Sequence, residues 1–373
     1  MLKVCTIGIG NAGNQIAELA KIEKDIPGLA LNSSEKDLTN VKSIPKLIVG
    51  DQKGAGKNRD EAKRFIREQI ANLLGQEKFV EYVSAYDVIF IVSSIGGGTG
   101  SGMAPIMTDI LTRKFPTKRF VLIEVYPPLR ESIAAQQNSI DYLKEVKQFL
   151  PNISYMCYDN NKRADLPTSE MMVSVNREIV EHMAVIRGDY LYPTPFNSID
   201  EKDMLKILET PGRLAIYDLH DIKEKDLDTE TLEDKLVNVI KNISSNVELD
   251  RDKIVKRMGV ITVLNDTLNK LFNTNLTGIK ALVGEPVEGF EHVSIGQKSD
   301  PNCVFLILSG LSVPDDRLEK IMQRIEEGLE ELSRMKDSSV LDDAETDTIK
   351  ELRDTTSQGS AELDLDDIFN KYK

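Results

Sequence analysis

Cysteine and histidine are scarce, three of each in 373 residues. Cys5, Cys157 and Cys303 lie far apart among apolar or aromatic neighbours, which excludes a disulfide framework or a paired-cysteine zinc site and predicts buried, inert thiols. His182, His220 and His292 are equally dispersed, without a His-x-x-x-His or His-x-Glu spacing that would mark a metal site. No apolar run reaches the roughly twenty residues of a membrane span. Met1-Leu2-Lys3-Val4-Cys5 enters a strand-like stretch rather than a signal peptide, so the expected location is cytoplasmic, with no membrane partner. Positive charge is also short: 47 basic against 61 acidic side chains give a formal net charge of −14. Coating nucleic acid relies on clustered Lys and Arg, so direct DNA binding is not expected and DNA would be reached through an adaptor. What is present is a globular mixture, 40% apolar and 29% charged, in a length that suits one large domain or two ordinary ones.

The first third alternates short apolar runs with amphipathic stretches, the pattern of a mostly parallel sheet covered by helices, and hence an α/β fold. Strands are expected at 2–9 and 29–32, and helices at 14–24 and 58–74. Val88-Ile89-Phe90-Ile91-Val92 is a continuous apolar run of the kind buried on both faces of a parallel sheet. Further strands at 120–126 and 153–158 flank a helix near 132–149. A longer helical pattern from Ser169 ends at Arg187-Gly188, before Pro193-Thr194-Pro195. These patterns predict a domain over 1–168, a connecting helix over 169–190 and a smaller α+β domain over 191–311, with strands at 213–219, 258–264, 279–283 and 304–308. A closing helix is expected over 312–335. Residues 336–373 hold 11 acidic and 5 basic side chains, a tail expected to be disordered alone. Leu363 to Phe369 interleaves apolar and acidic residues, as in segments that fold onto a partner; a solubilising tail is the alternative.

Gly8-Ile9-Gly10-Asn11-Ala12-Gly13 fits a dinucleotide fingerprint between strand and helix. An NAD-dependent oxidoreductase should carry an acid at the end of its second strand, where this chain has Asn32-Ser33-Ser34. A more specific signal is Gly96-Gly97-Gly98-Thr99-Gly100-Ser101-Gly102, directly after the most apolar strand. Five glycines in seven positions let backbone N–H groups converge on an anion at a helix N-terminus, which is phosphate chemistry. No Lys-Ser or Lys-Thr follows, so this is not a P-loop. Gly54-Ala55-Gly56-Lys57-Asn58 is a near miss for the same motif.

Together these loops resemble the tubulin and FtsZ superfamily of GTPases. Gly10-Asn11-Ala12-Gly13-Asn14-Gln15 is similar to its first phosphate loop, and residues 96–102 to its signature loop. Asn32-Ser33-Ser34 resembles the second loop, Gly54 to Lys57 the γ-phosphate loop, and Pro127 to Glu131 the ribose loop. Asn160 and Asn161 resemble the guanine-reading loop, with Asn176 on the central helix facing the base. An asparagine amide both donates and accepts, matching the N1–H, amino and O6 edge of guanine. The stretches 32–38, 159–163 and 279–284 look most like the TubZ branch of plasmids and phages. The resemblance implies a Rossmann-like GTP-binding domain, a long central helix and a smaller α+β activation domain. It also implies GTP/GDP with Mg²⁺, and no direct side-chain metal ligand within one subunit.

Ser198-Ile199-Asp200-Glu201-Lys202-Asp203 resembles the family's synergy loop, with Ser198 where asparagine is usual and Asn197 one residue earlier. The resemblance implies that Asp200 and Asp203 orient water at the nucleotide of a neighbouring subunit, in a head-to-tail homopolymer whose assembly switches on hydrolysis. Read alone, the acids are a helix N-terminus stabilised by negative charge. The resemblance further implies a bacterial host cell, a role in plasmid partition or phage DNA positioning, and a DNA-binding adaptor held by the C-terminal tail. An NAD-dependent oxidoreductase and a nucleotide-binding scaffold without turnover are the competing readings.

Overall fold

A computed structural model describes residues 1–227, 230–249, 254–296 and 301–337. The expected tail over 336–373 and its segment Leu363 to Phe369 therefore lie, but for the last residues of a helix, outside the described residues. The apolar runs become strands β1 (Val4–Ile9), β2 (Gly28–Asn32), β3 (Lys46–Ile48), β4 (Val88–Ser94), β5 (Arg119–Tyr126), β6 (Ser154–Asp159), β7 (Gly212–Leu219), β8 (Arg257–Leu264), β9 (Glu288–Ile295) and β10 (Cys303–Leu311). The amphipathic stretches become helices α1 (Gly10–Lys24), α2 (Glu35–Leu38), α3 (Arg59–Gly75), α4 (Glu77–Ser84), α5 (Thr99–Lys114), α6 (Ile133–Phe149), α7 (Thr168–Arg187), α8 (Glu201–Glu209), α9 (Leu232–Asn238), α10 (Asp266–Leu271), α11 (Thr277–Val283) and α12 (Asp315–Asp337).

The strands form one mixed, mostly parallel sheet in the order β3-β2-β1-β4-β5-β6-β7-β10-β8-β9. From β3 to β6 every pairing is parallel, and β6 joins β7 through a two-residue parallel register, Ser154 with Gly212 and Tyr155 with Arg213. Strand β10 runs antiparallel to both β7 and β8. β4 explains the uninterrupted apolar run. Ile89 and Ile91 enter the core under α3, α4, α5, α6 and α12, while Val88, Phe90 and Val92 enter the opposite core under α1, α7 and α8. With water excluded from both faces, alternation has no reason to appear. A third core gathers α9, α10 and α11 against β7, β8 and β10.

Two elements differ from the sequence expectation. Residues 279–283 are helix α11 rather than a strand. Leu276 (φ 46°) and Gly284 (φ 93°) close its two ends, and Ile279 and Val283, four apart, share its buried face. The carboxylate of Glu233 accepts from the Ile279 N–H at 3.0 Å, satisfying a helix-start donor that a strand would have paired with a neighbour. The outer strand is instead β9, parallel to β8. Helix α1 also begins at Gly10 rather than Asn14, because the first glycine loop is itself the helix's first turn.

All three cysteines are free and buried. Burial pushes the Cys5 and Cys303 thiols up to about 12 and that of Cys157 well above its ordinary range, which keeps them protonated and unreactive.

Candidate functional site

In an open parallel sheet, ligands gather outside the carboxyl ends of the strands where strand order reverses. Here that point lies between β1 and β4, whose last residues lead into the two glycine loops. The loops touch through backbone. Gly10 has φ +75°, and a Cβ there would lie 2.9 Å from Gly100 N; a Cβ on Gly100 would lie 2.9 Å from Ile9 O. A Cβ on Gly98 would meet Lys57 backbone at 2.8 Å, which brings the 54–57 loop to the same place. Gly97 is the contrast: a Cβ there would have nothing within 4 Å, so its face is open.

The electrostatics follow from the helix ends. Neither α1 nor α5 has a side-chain N-cap bond or an acid in its first turn. By comparison, α2, α3 and α6 are capped by Ser34, Asn58 and Ser132. Two helices thus start side by side with uncapped N–H groups and the positive ends of their dipoles at one pole, an arrangement suited to a multiply charged anion.

Side chains fasten these loops together. Ser33 Oγ and Thr99 Oγ1 are 2.7 Å apart, and Gly54 N donates to Ser33 O at 3.0 Å. Lys57 Nζ reaches Glu131 Oε1 at 3.3 Å and Ser132 Oγ at 3.2 Å. Three further fasteners lie outside every sequence motif. Asn138 Nδ2 donates to the carbonyls of Lys57, Gly96 and Gly97 at 3.0, 3.2 and 3.2 Å. Arg59 donates from Nη2 to Ser101 O at 2.9 Å and to Glu145 Oε2 at 2.7 Å. Pro105, inside α5, has no N–H for the Ser101 carbonyl four residues earlier, and Arg59 takes that acceptor. Pro105 is the one local sign that such a donor is needed. The third, Arg317, binds Asp159 and the Pro127 carbonyl.

The anticipated residues divide by exposure. Asn11, Gln15, Gly56 and Lys57 are exposed, and Gln15 Nε2 donates to Asn11 Oδ1 at 3.1 Å. Ala12, Gly54, Gly97, Thr99, Glu131, Asn160, Asn161 and Asn176 are half-buried. Asn14, Asn32, Ser33, Ala55, Gly96, Ser101, Gly102 and Pro127 are buried. Asn14 Oδ1 accepts from Leu31 N at 3.0 Å, tying α1 to β2, and Asn32 Oδ1 accepts from Ser34 N at 3.2 Å. Ser101 Oγ donates to the Gly97 carbonyl. Asn161 Oδ1 accepts from Leu129 N at 3.1 Å, so the turn at 160–161 is fastened to the segment after β5. Among the described residues no group of three or more His, Cys, Asp and Glu is gathered to hold a metal ion, and no described helix is long and apolar enough to cross a membrane.

Asp200 and Asp203 lie at the other end of the molecule. Asp200 is the N-cap of α8; Asp203 N donates to Asp200 Oδ1 at 2.9 Å, and Asp200 N donates to Asp203 Oδ2 at 3.2 Å. This reciprocal capping box gives both acids a structural duty. Glu201 pairs with the Met1 α-amino group at 2.8 Å and Glu209 with Arg119, so α8 sits where β1 and β5 begin, opposite the glycine loops. Helix α7 links the two ends: Arg130 Nη2 donates to Thr168 Oγ1 near its start, and Leu2 N donates to Arg187 O at its finish. Its twenty residues span about 30 Å at 1.5 Å per residue.

Comparison with known proteins agrees with this architecture. Residues 3–166 match the family model described as Tubulin/FtsZ family, GTPase domain. The "Tubulin-like protein CetZ" of Pyrococcus horikoshii is 28% identical over 230 residues, covering 57% of this chain and 60% of the relative, so the chain spans about three fifths of that relative's length. The "Tubulin-like protein TubZ" of Clostridium botulinum C phage is 23% identical over 390 residues, 99% of each. Among solved structures, a GTPγS-form protofilament of Bacillus thuringiensis serovar israelensis TubZ superposes with a TM-score of 0.73 at 17% identity, over 90% of this chain and 94% of that one. The chain has the tubulin/FtsZ fold, and its residues 3–166 match the GTPase domain of the tubulin/FtsZ family.

Proposed function

We propose that the glycine-loop pole binds GTP and that the chain hydrolyses it between subunits stacked head to tail, as a dynamic filament. The observation that carries this reading is the separation of two half-sites. Backbone donors for a polyphosphate lie at one end of the sheet and the Asp200–Asp203 pair at the other, so one subunit's acids reach a nucleotide only when it is a neighbour's. Such an interface does not close on itself and generates a filament.

In this reading the N–H groups at the starts of α1 and α5 hold the phosphates and neutralise charge that develops during transfer. Lys57, Gly54 and Gly56 face the terminal phosphate, Glu131 the ribose, and Asn160, Asn161 and Asn176 the base. Asp200 and Asp203 of the adjoining subunit orient the attacking water. Mg²⁺ fits as a companion of the phosphates, adding charge neutralisation, since the nearby carboxylates are already engaged: Glu131 with Lys57 and Glu145 with Arg59. The superposed TubZ structure is a GTPγS-form protofilament, which supports both the nucleotide and the self-association.

The finer role follows the TubZ relatives: segregation or positioning of plasmid or phage DNA in the cytoplasm of a bacterial host, with a DNA-binding adaptor contacting the tail around Leu363 to Phe369. Residues 1–168 serve as the nucleotide domain, 169–190 as the connecting helix and 191–311 as the domain presenting the acids. Equilibrium binding of labelled GTP, with ATP and NAD as competitors, tests the core of this. GTP is expected to bind with Mg²⁺ present, and neither competitor to displace it at comparable concentration. Displacement by NAD would favour an oxidoreductase. Deleting residues 359–373 is expected to leave GTP affinity unchanged while impairing adaptor binding or filament stability.

A further inference from the structure

Arg317 is the third residue of α12 and is buried. Its Nε donates to Asp159 Oδ2 at 2.7 Å, and its Nη2 donates to Asp159 Oδ1 at 3.1 Å and to Pro127 O at 2.7 Å. Asp159 is buried too, and its Oδ1 also accepts from Asn161 N at 2.9 Å. Asn161 Oδ1 in turn accepts from Leu129 N. One guanidinium therefore closes a ring of hydrogen bonds through the end of β6, the turn at 160–161 and the segment after β5. Its planar fork can bridge a carboxylate and a carbonyl together, which the point charge of a lysine cannot match. A second tie runs from Lys320 through Glu248 to Lys162, at 3.3 and 2.9 Å, but these groups are more exposed and such pairs contribute little.

We propose that Arg317 is a positioning residue for base recognition: through Asp159 and Pro127 it holds the base-facing turn and the ribose-facing segment in register, and so makes nucleotide affinity depend on the docking of α12. The proposal rests on the guanine-site reading above. Linkage is reciprocal, so nucleotide would hold α12 in place by the same factor by which α12 favours nucleotide. The sequence beyond α12 is the acidic tail, so its attachment point would respond to occupancy of the site.

The test is equilibrium binding of GTP and of ITP, which lacks the guanine amino group, to the full chain as wild type, as Arg317→Lys and as the double variant Arg317→Met, Asp159→Asn. The double variant removes both buried charges, so neither is left unpaired. Both variants are expected to weaken GTP binding, the double at least tenfold, and to shrink the preference for GTP over ITP, with Arg317→Lys intermediate. Partial rescue by lysine together with a reduced base preference is not what general destabilisation produces. An unchanged GTP-to-ITP preference in both variants, at any overall affinity, overturns the proposal. A wild-type chain that binds both nucleotides equally overturns the guanine-site reading beneath it.

Discussion

Glu124 on β5 is fully buried, and Cys157 Sγ donates to its Oε2 at 3.4 Å while Oε1 has no partner among the described residues. Burial pushes this carboxyl up to about 8 from an ordinary 4.5, with the Cys157 hydrogen bond and the nearby Tyr142 side chain opposing the rise. Glu124 is therefore mostly neutral at pH 7. Between pH 4.5 and 8 the folded chain keeps a proton that the unfolded chain releases, so stability falls as pH rises through that window and levels off above it. Glu124→Gln is expected to remove this slope, stabilising the chain at about pH 8 by roughly a few kcal/mol and changing little at about pH 4.5. Unfolding followed across pH checks it; a variant as pH-sensitive as wild type would contradict the assignment.

Asp200 and Asp203 pose a different residue-scale problem, because their capping box and their proposed role in hydrolysis are lost together on substitution by alanine. Asparagine separates the two. It caps a helix about as well as aspartate, so Asp200→Asn and Asp203→Asn should hold stability within about 0.5 kcal/mol. GTP binding and assembly should persist while turnover falls tenfold or more, giving longer-lived filaments. Wild-type turnover in both variants would remove these acids from the chemistry.

At the scale of elements, the uncapped starts of α1 and α5 can be probed by adding charge. An acid in a helix's first turn ordinarily stabilises the helix by about 0.3–1 kcal/mol. Ala12→Asp should therefore leave the melting temperature unchanged or raised, yet weaken GTP binding at least tenfold by repelling the phosphates. Unchanged affinity would mean that the phosphates lie elsewhere.

The elements also mark how far the sequence can be read. β4 and the two glycine loops are legible because the apolar run and the glycine spacing are local. Residues 279–283 read as a strand because β-branched residues in a short run suit either structure, and the capping Glu233 lies 46 positions away. β9 escapes the sequence because it is paired only on one side and most of its residues are half-buried or exposed rather than buried. The fasteners Asn138, Arg59 and Arg317 look like the polar face of an amphipathic helix until the fold brings their acceptors close. Arg317 and Asp159 are 158 positions apart, and no local pattern encodes such a pairing.

At the scale of the whole molecule, α7 ties the glycine loops at one end to α8 at the other. Tyr158, His182, Asp218 and His220 stitch β6, α7 and the end of β7 through contacts of 2.7, 3.0 and 2.8 Å. Despite the penalty of burial, hydrogen bonding and charge attraction to Asp218 hold the His220 pKa above its ordinary range. The glycine-loop pole and the Asp200–Asp203 pair are thus joined by a well-connected helix about 30 Å long.

The central claim is that one subunit supplies the nucleotide and the next supplies the acids. It is tested most directly by phosphate release at saturating GTP and Mg²⁺ across a series of protein concentrations. The account predicts turnover per molecule near zero in dilute solution and a steep rise once subunits assemble. Equal turnover per molecule at every concentration, with the dilute chain shown to be monomeric, would contradict it.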